Sequence, residues 1–179
     1  KMGNALDESS DIGAIISDEQ LKRTLYYMDI AKKNPSTKIL HGGNQSKGGK
    51  YKNGFYYEPT LLSGLPVSSP VCQEEVFGPV ACAIPFKSFD EVMKSANDTQ
   101  FGLSAVLWTK DLSRALQFVD EIEAGFVQVN QCVAPRANVS YGGIKMSGLG
   151  KEYAFDSMMN HFTQSKTVLI NRGKSNIDN

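Results

Sequence analysis

The sequence has few of the residues that would join it to metals or to disulfide partners. Its 179 residues include only three cysteines, Cys72, Cys82 and Cys132, and no two of them form a Cys-x-x-Cys pair. An odd number without that spacing argues against a disulfide framework and against a four-cysteine zinc site. His41 and His161 lie far apart and lack the spacing that places two ligands on one helical face. We therefore predict no metal site.

An excess of one charge and long apolar runs are also missing. Lysine and arginine number 19 and aspartate and glutamate 19, which gives a formal net charge of +0. A neutral chain has no general electrostatic attraction for nucleic acid or anionic lipid. No uncharged apolar run approaches the roughly 18 residues of a membrane span, and the first residues show no secretory signal. These absences predict a cytoplasmic protein that binds neither nucleic acid nor membrane.

What is present is the composition and periodicity of a globular chain. Hydrophobic residues make up 41% and charged residues 21%, which suits a packed core. Ser17 with Gln20 and Ser88 with Glu91 form helix-capping boxes, and Asp111 is placed to cap a third helix. We predict strands at 37–40, 55–62 (broken by Pro59), 80–86, 103–109, 125–130 and 167–170. Residues 41–54 are predicted to form a loop, and Gly125 is placed as the C′ glycine of the third helix. A glycine-rich turn at 142–150 precedes a predicted helix at 151–160. This alternation predicts an α/β fold with a mostly parallel sheet and flanking helices.

Two groups of chemically active residues allow more than one interpretation. Glu74 and Glu75 are adjacent, so on an extended segment they point to opposite faces. We expect one to be structural and the other to be solvated. Cys132 follows a predicted strand end, where α/β proteins often place functional residues, yet it also suits a small buried apolar position.

Residues 74–79 read Glu-Glu-Val-Phe-Gly-Pro, which resembles a signature of the aldehyde dehydrogenase superfamily. Several other stretches resemble the same family in order and spacing, from about Met2 to Asn171: residues 54–60, 101–105, 109–112, 125–130 and 141–152. The resemblance implies that residues 1–163 are the C-terminal portion of the catalytic domain. It also implies that residues 164–179 form an arm with an oligomerisation strand at 167–170.

The resemblance implies oxidation of a small-molecule aldehyde to a carboxylic acid with NAD or NADP, through a cysteine thioester. The family's nucleophilic cysteine, general-base glutamate and cofactor domain are expected upstream of this chain, because none of the three cysteines matches the nucleophile. The chain alone is therefore expected to be inactive. A homo-oligomer, dimer or tetramer, is also implied.

Site residues follow from the same resemblance. Glu75 matches the glutamate that accepts hydrogen bonds from the nicotinamide ribose, a role that suits an acceptor-only carboxylate. Phe77 matches an aromatic that packs near the nicotinamide. The remaining matched positions are Leu103, Gln20 and Arg23 toward the cofactor, and Tyr141, Cys132 and Arg136 toward the substrate. Arg136 is hypothesised to meet a carboxylate on the substrate, with a plain surface arginine as the alternative.

Two other functions stay open. The chain could be a naturally short homologue that acts as a binding or assembly module without catalysis. It could also be a self-sufficient thiol enzyme that uses Cys132.

Overall fold

The protein is described by a computed structural model that covers residues 1–171. Its helices are α1 (Asp18–Lys33), α2 (Pro70–Gln73), α3 (Phe89–Asn97), α4 (Leu112–Glu121) and α5 (Phe155–Phe162). Its strands are β1 (Lys38–His41), β2 (Gln45–Ser46), β3 (Tyr56–Tyr57), β4 (Thr60–Ser63), β5 (Val80–Ala83), β6 (Phe101–Gly102), β7 (Ser104–Leu107), β8 (Phe126–Val129) and β9 (Ile144–Lys145). The chain divides into two compact units, Lys1–Ala96 and the part from Asn97 onward.

Helix α1 organises the first unit. Ser17 caps it by accepting a hydrogen bond from the Gln20 backbone at 3.2 Å, which confirms the serine half of the predicted capping box. The Gln20 side chain bonds to the backbone of residues 76 and 77 instead of Ser17. Acidic residues lie in its first turn and basic residues in its last, which complements the helix dipole. Its buried face supplies Leu21, Tyr27, Met28 and Ala31 to the core, together with Tyr57, Leu62, Leu65, Val71 and Val76 from the following segments. This unit holds most of the buried apolar side chains among the described residues.

The sheet of the first unit has the order β1-β4-β5, in which β1 pairs antiparallel and β5 parallel with β4. Helix α2 begins at Pro70, a favoured first helical residue, and makes the crossover from β4 to β5. The residues that follow α2 form the connection into β5. The βαβ unit therefore fixes the position of residues 74–79, the stretch that resembles a family signature.

A second βαβ unit, β7-α4-β8, forms the centre of the second unit. Strands β7 and β8 pair in parallel, with Ser104 opposite Phe126. Asp111 caps α4 by accepting a hydrogen bond from the Arg114 backbone at 3.2 Å, as predicted. Strands β6 and β9 form a separate antiparallel pair. Parallel βαβ geometry therefore positions the segment that leaves β8.

The α/β class is confirmed, but the mostly parallel sheet is wrong for residues 1–171. These residues form four small sheets, of which only the β4–β5 and β7–β8 pairs are parallel. The other three strand pairs of these residues are antiparallel: β1 pairs with β4, and the two-residue strands pair as β2–β3 and β6–β9. The predicted loop at 41–54 correspondingly contains β2 and a 3-10 turn at Gly49–Tyr51.

One terminal assignment differs from the prediction, and a second is not tested by a single chain. The helix expected at 151–160 is α5, which begins only at Phe155. Residues 167–170 have no strand partner within the described chain, and Val168, Leu169 and Ile170 are exposed. A strand exists through its pairing, and the partner predicted for this segment belongs to a neighbouring subunit, so the strand stays a prediction. Residues 172–179 of the predicted arm lie outside the described residues.

Gly125 is not the C′ glycine of α4, so that prediction is wrong. The last helical residue is Glu121, and the C-cap residue Ile122 has an extended backbone. Gly125 is required for packing instead, because a Cβ there would lie 1.9 Å from the Gly142 carbonyl oxygen and 2.5 Å from Lys151 Nζ. The glycine allows two chain segments to approach closely.

Candidate functional site

One face of α1 holds the backbone of residues 75–77 through side chains at helical spacing. The Gln20 side-chain amide donates to the carbonyl oxygens of Val76 at 3.0 Å and Phe77 at 2.7 Å. Arg23 donates to the Glu75 carbonyl oxygen from Nη2 at 2.6 Å and from Nε at 3.3 Å. Three consecutive carbonyl groups are therefore satisfied by two side chains one turn apart on the helix.

The two adjacent glutamates have different roles, as their alternation predicts. The Glu74 carboxylate accepts a hydrogen bond from the Tyr27 hydroxyl at 2.7 Å. That hydrogen bond, with burial second, raises the pKa of Tyr27. Glu75 is exposed, and its backbone oxygen rather than its carboxylate receives Arg23. Glu74 is structural and the Glu75 carboxylate stays available to a ligand.

Phe77 has an unusual backbone conformation and an exposed ring. Its φ is 53°, in the left-handed region that a bulky side chain rarely adopts, at a cost of about 1–2 kcal/mol. Its side chain is 70% exposed although its neighbour Val76 is buried. The next residue is Gly78, where a Cβ would lie 2.6 Å from Thr24 Oγ1. The Phe-Gly pair thus lets the chain pass close to α1 while the ring points outward.

The Phe77 ring borders an open cleft of about 410 Å³ in the first unit. The lining is mainly apolar and comes from two segments and one helix position: Ile12, Gly13, Ala14, Ile15, Ile16, Gln20, Phe77, Gly78 and Pro79. Ile16 is 86% exposed, so large apolar surface faces solvent at this cleft. Such a surface suits contact with a flat apolar group or with another protein segment.

In the second unit, Phe126 connects two of the predicted site residues. Its backbone N–H donates to the Leu103 carbonyl oxygen at 3.0 Å. Its ring packs edge-on against Tyr141, with 5.2 Å between the ring centroids. Tyr141 also contacts Tyr153 at 6.0 Å. The structure thus brings Leu103 and Tyr141 to the same strand residue.

Lys151 stabilises the backbone that carries Tyr141. Its ammonium group donates to the carbonyl oxygens of Gly142 at 2.6 Å and Gly125 at 3.3 Å. Tyr141 and Glu152 exchange backbone hydrogen bonds. The lysine therefore joins the start of β8 to the segment that follows the predicted substrate loop.

Cys132 and Arg136 lie on the loop that leaves β8, and both are exposed. Two polar residues fix the beginning of this loop. The buried Gln128 accepts a hydrogen bond from the Val133 backbone at 2.9 Å. Asn130 has a φ of 54°, and its side chain both donates to and accepts from the Thr109 backbone at 2.8 Å. The exposed position of Cys132 does not fit the small buried apolar interpretation.

The sequence patterns did not identify three residues that support the site: Tyr27, Gln128 and Lys151. Tyr27 follows Arg23 by four positions and therefore lies on the same helical face, a signal that helical periodicity contains. Gln128 is a polar residue inside a predicted apolar strand, and a buried polar side chain requires a hydrogen-bond partner. Lys151 gives no comparable signal, because its partners are backbone carbonyls distant in sequence.

Residues 1–171 lack two kinds of feature. They contain no group of three or more histidine, cysteine, aspartate or glutamate side chains able to hold a metal ion. None of their helices combines the length and the apolar character needed to cross a membrane.

The chain is similar to known proteins over nearly all of its described length. The sequence profile of the aldehyde dehydrogenase family matches residues 1–168. An aldehyde dehydrogenase of Rhodospirillum rubrum is 39% identical over 170 residues, which cover 95% of this chain and 33% of that protein. The chain thus spans about a third of the length of the curated relatives it matches.

Solved structures agree with this similarity. Betaine aldehyde dehydrogenase from Staphylococcus aureus, in complex with NAD+, has a TM-score of 0.83 and 32% identity, with 89% of this chain and 32% of that chain covered. A 3,6-anhydro-L-galactose dehydrogenase in complex with NADP has a TM-score of 0.83 and 31% identity, with 88% of this chain and 33% of that chain covered.

Proposed function

Because this chain belongs to the aldehyde dehydrogenase family, we propose that it forms part of an enzyme that oxidises an aldehyde to a carboxylic acid with NAD or NADP. The relatives are about three times as long as this chain. We infer that the nucleophilic cysteine, the general base and the cofactor domain belong to the other two thirds of such an enzyme. Nothing in this chain is assigned as catalytic, and the chain alone is expected to be inactive.

The observation that carries the proposal is the free Glu75 carboxylate two positions before the exposed Phe77 ring. Glu74 is already bound to Tyr27, and the Glu75 backbone is already bound to Arg23. An anionic acceptor two positions before an exposed aromatic ring fits a ribose diol joined to a flat heterocycle. When bound, the dinucleotide supplies a hydride acceptor. Glu75 would hold its ribose hydroxyls, and Phe77 would limit the movement of its ring.

The other cofactor positions have weaker support. Leu103 is partly exposed at the start of β7 and offers apolar surface. Gln20 and Arg23 remain candidates, although backbone carbonyls already receive their donors. Choice between NAD and NADP is not assigned to any residue of this chain.

On the substrate side, we propose that the loop from Gln131 to Tyr141 forms part of the aldehyde pocket. Tyr141 would supply an aromatic wall that Phe126 and Tyr153 support. Cys132 would present a small side chain to the pocket. Arg136 would attract a substrate that carries a second, acidic group. Arg136→Ala in the complete enzyme should raise KM for acidic aldehydes alone; a KM that is unchanged by the substitution for acidic and neutral aldehydes alike would remove this role.

We also propose that the enzyme is a cytoplasmic homo-oligomer, a dimer or tetramer, in which residues 167–170 add to a neighbouring subunit's sheet. Their exposed apolar side chains support this proposal. Residues 1–163 would be the C-terminal portion of the catalytic domain, and residues 164–179 the arm.

The decisive experiment uses the complete protein that contains this chain, assayed against an aldehyde panel with both nucleotides. Glu75→Gln keeps the size of the side chain and removes its negative charge. We expect KM for the nucleotide to rise about tenfold or more, as loss of a hydrogen bond to a charged acceptor requires, with KM for the aldehyde little changed. Glu19→Gln, an exposed residue of α1, is the matched control.

A Glu75→Gln enzyme with an unaltered KM for the nucleotide would contradict the cofactor role of Glu75. A complete protein that oxidises no aldehyde would leave the binding or assembly module as the surviving alternative.

A further inference from the structure

We propose that Gln20 and Arg23 are positioning residues, which fix the backbone of residues 75–77 and thereby keep the Glu75 carboxylate and the Phe77 ring free. Their side chains would act on a bound dinucleotide through this loop. The effect on dinucleotide binding rests on the proposed function. The fixed backbone of residues 75–77 does not depend on it.

The hydrogen-bond count favours positioning over direct contact with a ligand. The Gln20 side-chain amide has two hydrogens, and two backbone carbonyls, of Val76 and Phe77, lie at 3.0 and 2.7 Å from its nitrogen. Both amide hydrogens of Gln20 are therefore used by the loop, and only its Oε1 acceptor stays open to a ligand. The Gln20 backbone separately caps the helix through Ser17, so the side chain is not needed for capping.

The Arg23 guanidinium is likewise bound to neighbouring groups, on Glu75 and Tyr27. Its guanidinium donates to the Glu75 carbonyl oxygen and, at 3.3 Å, to the Tyr27 hydroxyl. The same group lies over the Tyr27 ring, 5.4 Å from the ring centroid. A guanidinium in this position would be expected to pair with the neighbouring Glu75 carboxylate, but it bonds to the backbone oxygen of that residue instead. The Glu75 carboxylate therefore stays free of an internal ion pair.

The backbone of Phe77 explains why such a hold is needed. A phenylalanine at φ 53° is strained, and an unsupported loop would relax to a negative φ. That change would rotate the ring and reorient the carbonyl groups on either side of it. Gln20 bonds to the carbonyls of both Phe77 and the residue before it, so it opposes this rotation directly.

The test removes the donors of Gln20 without changing its length. In the 179-residue chain, Gln20→Met should shift the NMR couplings across the Phe77 N–Cα bond from values typical of positive φ to those of negative φ. Gln117→Met makes the same exchange on the exposed face of α4, where it removes one hydrogen bond to Glu121, and should leave these couplings unchanged. In the complete enzyme, Gln20→Met should raise KM for the nucleotide by roughly tenfold and leave KM for the aldehyde unchanged.

Retention of positive-φ couplings at Phe77 in Gln20→Met would overturn the proposal. If Gln20→Met does not fold, the addition of Phe77→Gly should restore the fold, since glycine adopts this φ without strain; failure of that rescue would also overturn it. Shifted couplings with an unchanged KM for the nucleotide would support the positioning role and contradict the cofactor role of the loop.

Discussion

At the scale of single residues, the hydrogen bond from Tyr27 gives the Glu74 carboxylate a structural partner that the Glu75 carboxylate lacks. Tyr27→Phe removes only the hydroxyl, so we expect a loss of about 1 kcal/mol in the free energy of unfolding. Tyr26→Phe is the matched control, because Tyr26 is the adjacent residue and is 61% exposed. Denaturant unfolding of both variants at neutral pH measures the difference.

The same pair predicts a dependence on pH. The hydrogen bond to Glu74 raises the pKa of Tyr27 in the folded chain above the value of about 10 in the unfolded chain. The folded state therefore binds the phenolic proton more tightly, and this stabilisation is complete below pH ~10 and lost as the pH rises through the folded pKa. The stability difference between the wild type and Tyr27→Phe should shrink in that range. A difference that stays constant above pH ~10 would contradict this assignment.

The three cysteines should react with a thiol reagent at clearly different rates. Cys132 is exposed, whereas Cys72 and Cys82 pack against the core of the first unit. Burial raises the pKa of both inner thiols, and that of Cys82 to about 12. Because only the thiolate reacts, we expect one fast thiol at pH 8 and two slow ones that accelerate with rising pH.

Cys132→Ser should abolish the fast phase of this reaction and leave the slow phases unchanged. Three equal rates in the wild-type chain would show that the inner thiols are accessible, contrary to their packing.

At the scale of elements, Asn130 extends the pairing of β7 and β8 beyond the last strand residues. Its side chain makes two hydrogen bonds to the Thr109 backbone, and its φ is positive. Asn130→Gly preserves access to this φ and removes the side-chain bonds, so we expect a loss of about 1–3 kcal/mol. Asn138→Gly is the control, since Asn138 has a φ of 63°. Thermal unfolding compares the two, and equal changes would show that the side chain of Asn130 contributes little.

Most helices could be predicted, because their signals are local, but the short helix α2, and with it the β4-α2-β5 unit, was not predicted. The capping residues Ser17 and Asp111 are sufficient to define the starts of α1 and α4. The antiparallel partners could not be predicted, because β6–β9 pairing joins residues about forty positions apart. Gly125 shows the same limit: its packing partners, Gly142 and Lys151, are distant in sequence.

The candidate site was partly predictable for a similar reason. The alternation of Glu74 and Glu75 indicates two roles from sequence alone, and the structure assigns the structural one to Glu74. The family resemblance selected Gln20 and Arg23, but their contacts with backbone carbonyls are invisible in a sequence, because any residue could supply such an acceptor.

At the scale of the whole molecule, the chain leaves much apolar surface uncovered. Only Phe118 of the second unit belongs to the buried apolar core of the described residues. Side chains of α4 and α5 remain exposed, including Leu112, Leu116, Phe155 and Phe162. An isolated domain rarely exposes so much apolar surface. The proposed enzyme would cover it with the remaining two thirds of its polypeptide and with other subunits.

The apolar segment at residues 167–170 should therefore drive association of the isolated chain. Val168, Leu169 and Ile170 are 63%, 93% and 80% exposed, and an unpaired apolar segment of strand length tends to pair with another chain. We expect sedimentation velocity to show oligomers whose proportion rises with concentration. Leu169→Lys places a charge in the pairing segment and should shift the chain toward monomer. Leu149→Lys changes a 100% exposed leucine in the glycine-rich turn and should leave association unaltered; an equal response to both substitutions would mean that general apolar exposure, and not this segment, causes association.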